Sequence, residues 1–196
     1  MKDLARKADR FEATVVNDAS ASGSVSVGGV FTVECYDAAG QLKWKDEFHN
    51  LVVNQGLKDM NDKYFTGSGY TAAWYIGLIN NSPSPTLAAG NTAAGITTNA
   101  SGSNVWAEFT GYSQANRPTL SFSASTTADP SVISTASAAA FSITSTATIY
   151  GAFVVSSNTK GGTTGVLFSE GAFAATRSVV NGDTLNVSYS LSNDAA

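Results

Sequence analysis

The sequence contains a single cysteine, Cys35, and a single histidine, His49. A disulfide within the chain needs two cysteines, and a metal site built from His or Cys side chains needs several, so both features are excluded. A catalytic scheme that uses two imidazoles is excluded for the same reason. These absences remove most enzyme classes before any motif is considered.

Charged residues are also scarce. They make up 13% of the chain, about half the usual share of a soluble domain. The net charge of -4 argues against a nucleic-acid surface, which needs clustered Lys and Arg. Residues 1–63 hold 8 of the 11 basic and 10 of the 15 acidic side chains, so the rest is nearly uncharged. Such a surface favours close, repeated contacts between subunits, because few long charged side chains must be ordered or desolvated.

Long apolar runs are missing as well. The longest, residues 72–79 and 149–155, are far shorter than the roughly 20 residues that span a bilayer. The first ten residues are charged where a secretory signal would be apolar. We therefore expect no membrane association and no cleaved leader.

The sequence has none of the common catalytic or cofactor motifs. It contains no phosphate-binding loop, no Gly-x-Ser-x-Gly elbow, no His-Glu-x-x-His helix and no Cys-x-x-Cys pair. The glycine-rich stretch at residues 161–165 has no basic residue after it, which favours a mobile turn over an anion site. We predict that the protein is not an enzyme and needs no cofactor.

The chain does contain many small residues and enough apolar ones to fold. Ala, Ser, Thr and Gly account for 93 of the 196 residues, yet hydrophobic residues reach 43% and aromatics 10%. Disordered chains are poor in aromatics, so a folded domain is expected. Only one aromatic, Phe11, precedes residue 31. We predict an N-terminal arm with a Ser/Gly linker at residues 1–29 and one domain at residues 30–196.

The arm has the spacing of an amphipathic helix. Leu4, Ala8, Phe11 and Val15 recur at intervals of four, three and four residues. A helix this short is marginal in water unless its apolar stripe packs on something. Leu4, Phe11 and Val15 are therefore candidate partner contacts. The stripe packs either on its own domain or on a neighbouring subunit, and the pattern alone does not decide between them.

The body of the chain has the alternation of β-strands. Apolar and polar residues alternate through residues 31–36 and 42–49 on either side of a turn at Asp37–Gly40, which predicts a hairpin. Cys35 falls on the apolar face as a small buried hydrophobe, and His49 falls on the wet face. Further strands are expected at residues 74–79, 120–123, 140–143, 149–155, 166–168 and 184–191.

One helix interrupts the strands, at residues 57–65. Its apolar side is predicted to carry Leu57, Met60, Tyr64 and Phe65. Asp59 and Asp62 have lysines beside them, so they predict a solvated charged face and not an acid/base pair.

The uncharged loop at residues 80–104 is long for a compact domain, which makes it a favoured place for contacts. Taken together, the patterns predict a mainly β fold. We expect an antiparallel β-sandwich of jelly-roll kind, with one short helix and an N-terminal helical arm.

Three stretches carry a resemblance to a known group of proteins. They are His49–Asn54 followed by Trp74–Leu78, Trp106–Ser113 followed by Arg117, and Gly151–Gly162 together with Asn181–Tyr189. Over about residues 40–191 the chain resembles a family of tailed-bacteriophage virion proteins.

The resemblance implies a virion location, as a capsid decoration (cement) or tail-associated component, and brings no catalytic residue. The expected partners are the major capsid protein and copies of the chain itself, as a trimer, with no nucleic acid. If the arm makes the contact, deleting residues 1–29 should leave a folded domain that binds empty capsids poorly.

A second interpretation is a tail or fibre component that binds a receptor or a carbohydrate. Trp106, Tyr112 and Tyr70 are the aromatic residues expected on loops where they would contact a sugar.

Overall fold

The computed structural model of the chain describes residues 25–70, 73–81, 85–97, 104 and 106–195. Over these ranges the chain is mainly β with one α-helix, so the predicted class is confirmed. The predicted N-terminal helix lies outside the described residues. No helix in the described part of the chain is long and apolar enough to cross a membrane.

The strands are β1 (Val25–Tyr36), β2 (Leu42–His49), β3 (Leu51–Val52), β4 (Trp74–Asn80), β5 (Glu108–Phe109), β6 (Thr119–Leu120), β7 (Ser131–Ser134), β8 (Ala139–Ser142), β9 (Ala147–Val155), β10 (Leu167–Val179) and β11 (Thr184–Ala195). The helix α1 spans Asn54–Phe65, and a 3-10 turn spans Ala93–Gly95.

The strands form two sheets in which neighbouring strands run antiparallel. The first has the order β2-β1-β11-β7, and β8 pairs with β11 beside β7. The second has the order β3-β10-β9-β4-β5, and β6 also pairs with β4. The chain therefore crosses repeatedly between the sheets, and strands distant in sequence, such as β1 and β11, become neighbours.

The predicted hairpin is present as β1 and β2. The Asp37 carboxylate accepts hydrogen bonds from the backbone N–H groups of Ala39 and Gln41, each at 2.9 Å. Gly40 has a φ of 77°, a left-handed conformation that glycine adopts without strain. The turn chemistry and the alternation therefore fix the register together.

One buried core receives side chains from both sheets. Cys35 lies in it with no exposed surface, as predicted, whereas His49 on β2 is exposed. The larger members from the two sheets are Phe31, Phe48, Ile76, Leu78, Phe141, Val154, Phe168, Leu185 and Tyr189.

The second sheet is buried on its other face as well. Trp106, Phe153, Ile96 and Ala93 form a separate buried cluster there. Residues 85–97 of the long loop supply part of this cover. The described part of that loop therefore packs inward on its own sheet.

β1 and β10 exceed their predicted ranges the most, and β11 also continues past residue 191 to Ala195. β1 begins at Val25, inside the segment predicted as linker up to residue 29, because Val25–Gly29 pair with the far end of β11. β10 runs from Leu167 to Val179, although only residues 166–168 were expected. Small residues and Glu170 interrupt its hydrophobic pattern, so the pairing with β9 was not visible in the sequence.

Candidate functional site

The start of α1 is fixed to the second sheet by a glutamine and a glycine. The Gln55 side-chain oxygen accepts hydrogen bonds from the backbone N–H groups of Ala93 and Leu167, each at 2.9 Å. Gly56 is buried, and a Cβ placed on it would lie 2.4 Å from the carbonyl oxygen of Phe168. The helix therefore lies closer to β10 than any residue larger than glycine would permit.

The predicted apolar side of α1 is only partly directed toward the core. Met60 packs against the core, but Tyr64 is 84% exposed and Phe65 77% exposed. The pattern places both aromatics on the same side as Met60, but the close contact at Gly56 sets which part of that side meets the sheet, and both aromatics remain exposed.

An open cleft of about 540 Å³ lies where α1 meets both sheets. Its floor is apolar and comes from distant parts of the chain. The floor residues are Met60, Trp74, Phe122, Ile133, Val154, Phe168, Tyr189 and Leu191.

The rim of the cleft is aromatic on the helix side. Tyr64 and Phe65 contact each other edge to face, with ring centroids 4.8 Å apart. Tyr70, which is 53% exposed, accepts a hydrogen bond from the Trp74 indole N–H at 2.9 Å. The Lys63 ammonium lies 5.6 Å from the centre of the Tyr70 ring. Exposed aromatics grouped around an apolar depression are typical of a contact site.

Polar groups in the cleft are few. Asp59 and Lys63 approach to 3.9 Å on the helix, and Asp62 pairs with Lys58. Each aspartate thus has a lysine one turn away, and the two do not form an acid/base pair. The Asn193 side-chain oxygen is buried and has no hydrogen-bond partner among the described residues. The cleft therefore offers mainly apolar contact.

Two of the three aromatics expected on loops are not available to a ligand. Trp106 has no exposed surface and Tyr112 is 2% exposed, so the prediction that they contact a sugar is wrong. Both residues lie in core clusters. In a chain made mostly of small residues, large aromatic side chains supply much of the apolar area that the core buries. Tyr70 alone lies at the rim of a cleft. Leu4, Phe11 and Val15 lie outside the described residues.

Two fully buried charged side chains form an ion pair that sequence reasoning missed. The Arg117 guanidinium donates to both carboxylate oxygens of Glu108, at 2.9 and 2.7 Å, and both side chains are fully buried. Arg117 also donates to the carbonyls of Ser157 and Gly162, and Glu108 accepts from the N–H of Gly161. The pair therefore holds the 157–162 turn to the sheet edge.

A second buried carboxylate, Glu170, holds the long loop. It accepts hydrogen bonds from the backbone N–H of Ala88, the Asn91 amide and the Trp106 indole, at 2.7 to 3.1 Å. Burial raises the pKa of Glu170, and these hydrogen bonds only partly counter the rise. With Asn91 and Trp106 wrapped around it, the carboxylate is a structural anchor.

Asp183 and Cys35 are a third set of buried polar side chains in contact with each other. Burial acts to raise the pKa of Asp183, but the Lys43 ammonium at 2.6 Å and the Val180 N–H outweigh burial, and the pKa is lowered. Burial raises the pKa of the Cys35 thiol to about 12, so the thiol stays neutral. A neutral buried thiol is a poor nucleophile.

The buried carboxylates and the buried thiol in the described part of the chain are thus engaged in internal contacts, whereas the buried Tyr112 hydroxyl has no hydrogen-bond partner there. No three His, Cys, Asp or Glu side chains within it come together as a metal ion would require. The fold and the site together define a mainly β, antiparallel protein whose distinctive surface is an aromatic-rimmed cleft. Comparison with protein families, with curated proteins and with solved structures finds no match to this chain.

Proposed function

We propose that this protein is a structural component of a tailed-phage virion, a capsid decoration protein. In this proposal it lies on the outside of the shell as a trimer, contacts the major capsid protein and bridges capsomers. The two sheets would form a sandwich of jelly-roll kind that presents the contact surface. The resemblance of residues 40–191 to phage virion proteins is the reason for assigning the protein to a phage particle.

The observation that carries the proposal is the exposed aromatic edge of α1. Tyr64 and Phe65 are among the most exposed large hydrophobic side chains, at 84% and 77%. A few side chains provide most of the binding energy in many protein interfaces, and aromatic residues such as Tyr are enriched among them. The buried carboxylates of Glu108, Glu170 and Asp183 and the Cys35 thiol are held in internal contacts, so this edge offers contact and not chemistry.

A decoration protein acts by mass action. Each copy binds the assembled shell and not the free subunits, so its binding free energy is added to the stability of the assembled state. A surface poor in charged side chains suits many identical contacts, because little desolvation is needed at each.

Capsid binding tests the proposal. The purified full chain is mixed with emptied capsids and, separately, with host cells, and the bound fraction is measured by sedimentation. We expect saturable binding to capsids that falls about tenfold when Tyr64 and Phe65 are both replaced by serine, a loss of about 1.4 kcal/mol.

The matched control is Leu42→Ser. Leu42 is 54% exposed and lies at the end of the first sheet opposite the cleft, so its replacement should leave binding unchanged. Binding to cells without binding to capsids would overturn the proposal.

Binding to host cells without binding to capsids would favour the second candidate, a tail or fibre component that binds a receptor or carbohydrate. The specific observation in its favour is Tyr70 and Trp74 beside Asp59 and Asn61 at the cleft, since sugar sites combine aromatic rings with carboxylate and amide groups.

A further inference from the structure

The floor of the cleft is apolar surface without a cover among the described residues. Phe122, Ile133 and Leu191 are only partly buried, although their neighbours Val154 and Tyr189 are fully in the core. Covering apolar surface removes it from water, which stabilises a protein. The cleft therefore favours an occupant with an apolar face.

The first strand begins beside this cleft. Val27 on β1 pairs with Asn193 on β11, and Gly29 pairs with Leu191. Both β11 residues line the cleft. The peptide that precedes Val25 therefore leaves the sheet one strand away from the cleft wall.

The segment that precedes Val25 has the apolar face that the cleft needs. Leu4, Phe11 and Val15 form a single stripe at helical spacing over residues 2–16. Residues 17–24 between this stripe and β1 reach about 26 Å when extended. That reach is enough for the stripe to turn back over the cleft.

We propose that residues 2–16 of the same chain occupy this cleft, with Leu4, Phe11 and Val15 against its floor. A short tether keeps the segment at an effective concentration of about millimolar near its own cleft, so docking within one chain is favoured over docking between copies. This placement goes beyond the proposed function and does not depend on it.

Paramagnetic broadening in the purified full chain tests the placement. A spin label is attached at Ala8→Cys, and Cys35 does not compete for the label because it is fully buried. We expect the backbone signals of Leu191 and Asn193 to disappear, while that of Leu42 at the other end of the sheet remains. Unchanged cleft signals would overturn the proposal.

Two further variants of the labelled chain show whether the apolar stripe is responsible. Phe11→Ser should restore the cleft signals, whereas Arg10→Ser on the polar side should not. The Leu42 signal reports whether each variant is folded. Equal effects of the two substitutions would contradict docking through the stripe.

Mixing distinguishes the chain's own arm from a neighbour's. An isotope-labelled chain without a spin label is mixed with an unlabelled chain that carries one at position 8. We expect no broadening, and broadening at Leu191 in this mixture would overturn the intramolecular placement. Because capsids are absent, the result is separate from the outcome of the capsid-binding experiment.

Discussion

At the scale of single residues, the buried pair of Glu108 and Arg117 holds distant loops together. Removing one partner leaves the other charge buried without compensation, which typically destabilises a protein by about 3–5 kcal/mol. We expect Arg117→Met to lower the free energy of unfolding by that amount, measured by urea denaturation.

The control for this substitution is Lys45→Met, which removes the cation from a more exposed pair. Lys45 lies 2.9 Å from Glu34, and both side chains contact solvent. Solvent screens such pairs, so we expect a much smaller change. Equal losses in the two variants would mean that burial does not determine the strength of the Arg117 pair.

Glu170 gives stability a dependence on pH. Its pKa is raised above the ordinary value of 4.5, so the folded chain holds this proton more tightly than the unfolded chain does. The resulting stabilisation is complete below 4.5 and is lost as pH rises through the raised pKa.

Glu170→Gln removes this titration and keeps a polar side chain of the same size. We expect the difference in unfolding free energy, wild type minus Glu170→Gln, to fall as pH rises from acid to neutral. Asp183 and the other carboxylates are common to both proteins and cancel in the difference. A difference that rises with pH would show that the hydrogen bonds to Glu170 outweigh its burial.

At the scale of elements, Gly56 sets the position of α1 and therefore the shape of the cleft. Alanine is the better helix former by about 1 kcal/mol. Its Cβ would nevertheless lie 2.4 Å from the Phe168 carbonyl oxygen, so the helix must move away from β10. We expect Gly56→Ala to destabilise the protein by about 1–3 kcal/mol in urea denaturation.

Gly69→Ala, in the loop that follows α1, is the control for adding a methyl group where there is room. A Cβ at Gly69 meets nothing within 4 Å, so we expect a change within about 0.5 kcal/mol. A stabilised Gly56→Ala variant would mean that helix propensity outweighs the contact with β10. The near-ultraviolet circular dichroism of the protein, to which Trp74 in the cleft contributes, should change in the Gly56 variant alone if the cleft is distorted.

At the scale of the whole molecule, local patterns predict the strands but not their partners. Alternation alone identifies the β1–β2 hairpin and places Cys35 inside and His49 outside. Nothing local indicates that Glu108 meets Arg117, or that Glu170 anchors the loop, because these contacts form only once the second sheet is assembled. The cleft is equally invisible to local patterns, since its residues Met60, Ile133 and Leu191 come from three different elements.

Two N-terminal deletions of different length distinguish the arm's contribution to stability from that of the first strand. Removing residues 1–29 also removes Val25–Gly29, which pair with Leu191–Ala195 in β11. Removing residues 1–24 leaves that ladder whole. Because the shorter deletion removes the docked segment, we expect it to unfold at a lower urea concentration than the full chain. The longer deletion also loses the β1–β11 pairs, so we expect its midpoint to be lower still.

Dye binding connects the shorter deletion to the cleft. If residues 2–16 cover Phe122 and Leu191 in the full chain, deleting residues 1–24 uncovers an apolar floor, and the fluorescence of an apolar-surface dye such as ANS should rise. Adding Tyr64→Ser and Phe65→Ser to the deletion should reduce that rise, because both side chains line the same cleft. Identical dye fluorescence from the full chain and the shorter deletion would mean that the arm lies elsewhere. Identical unfolding midpoints for the two deletions would mean that Val25–Gly29 add nothing to the sheet.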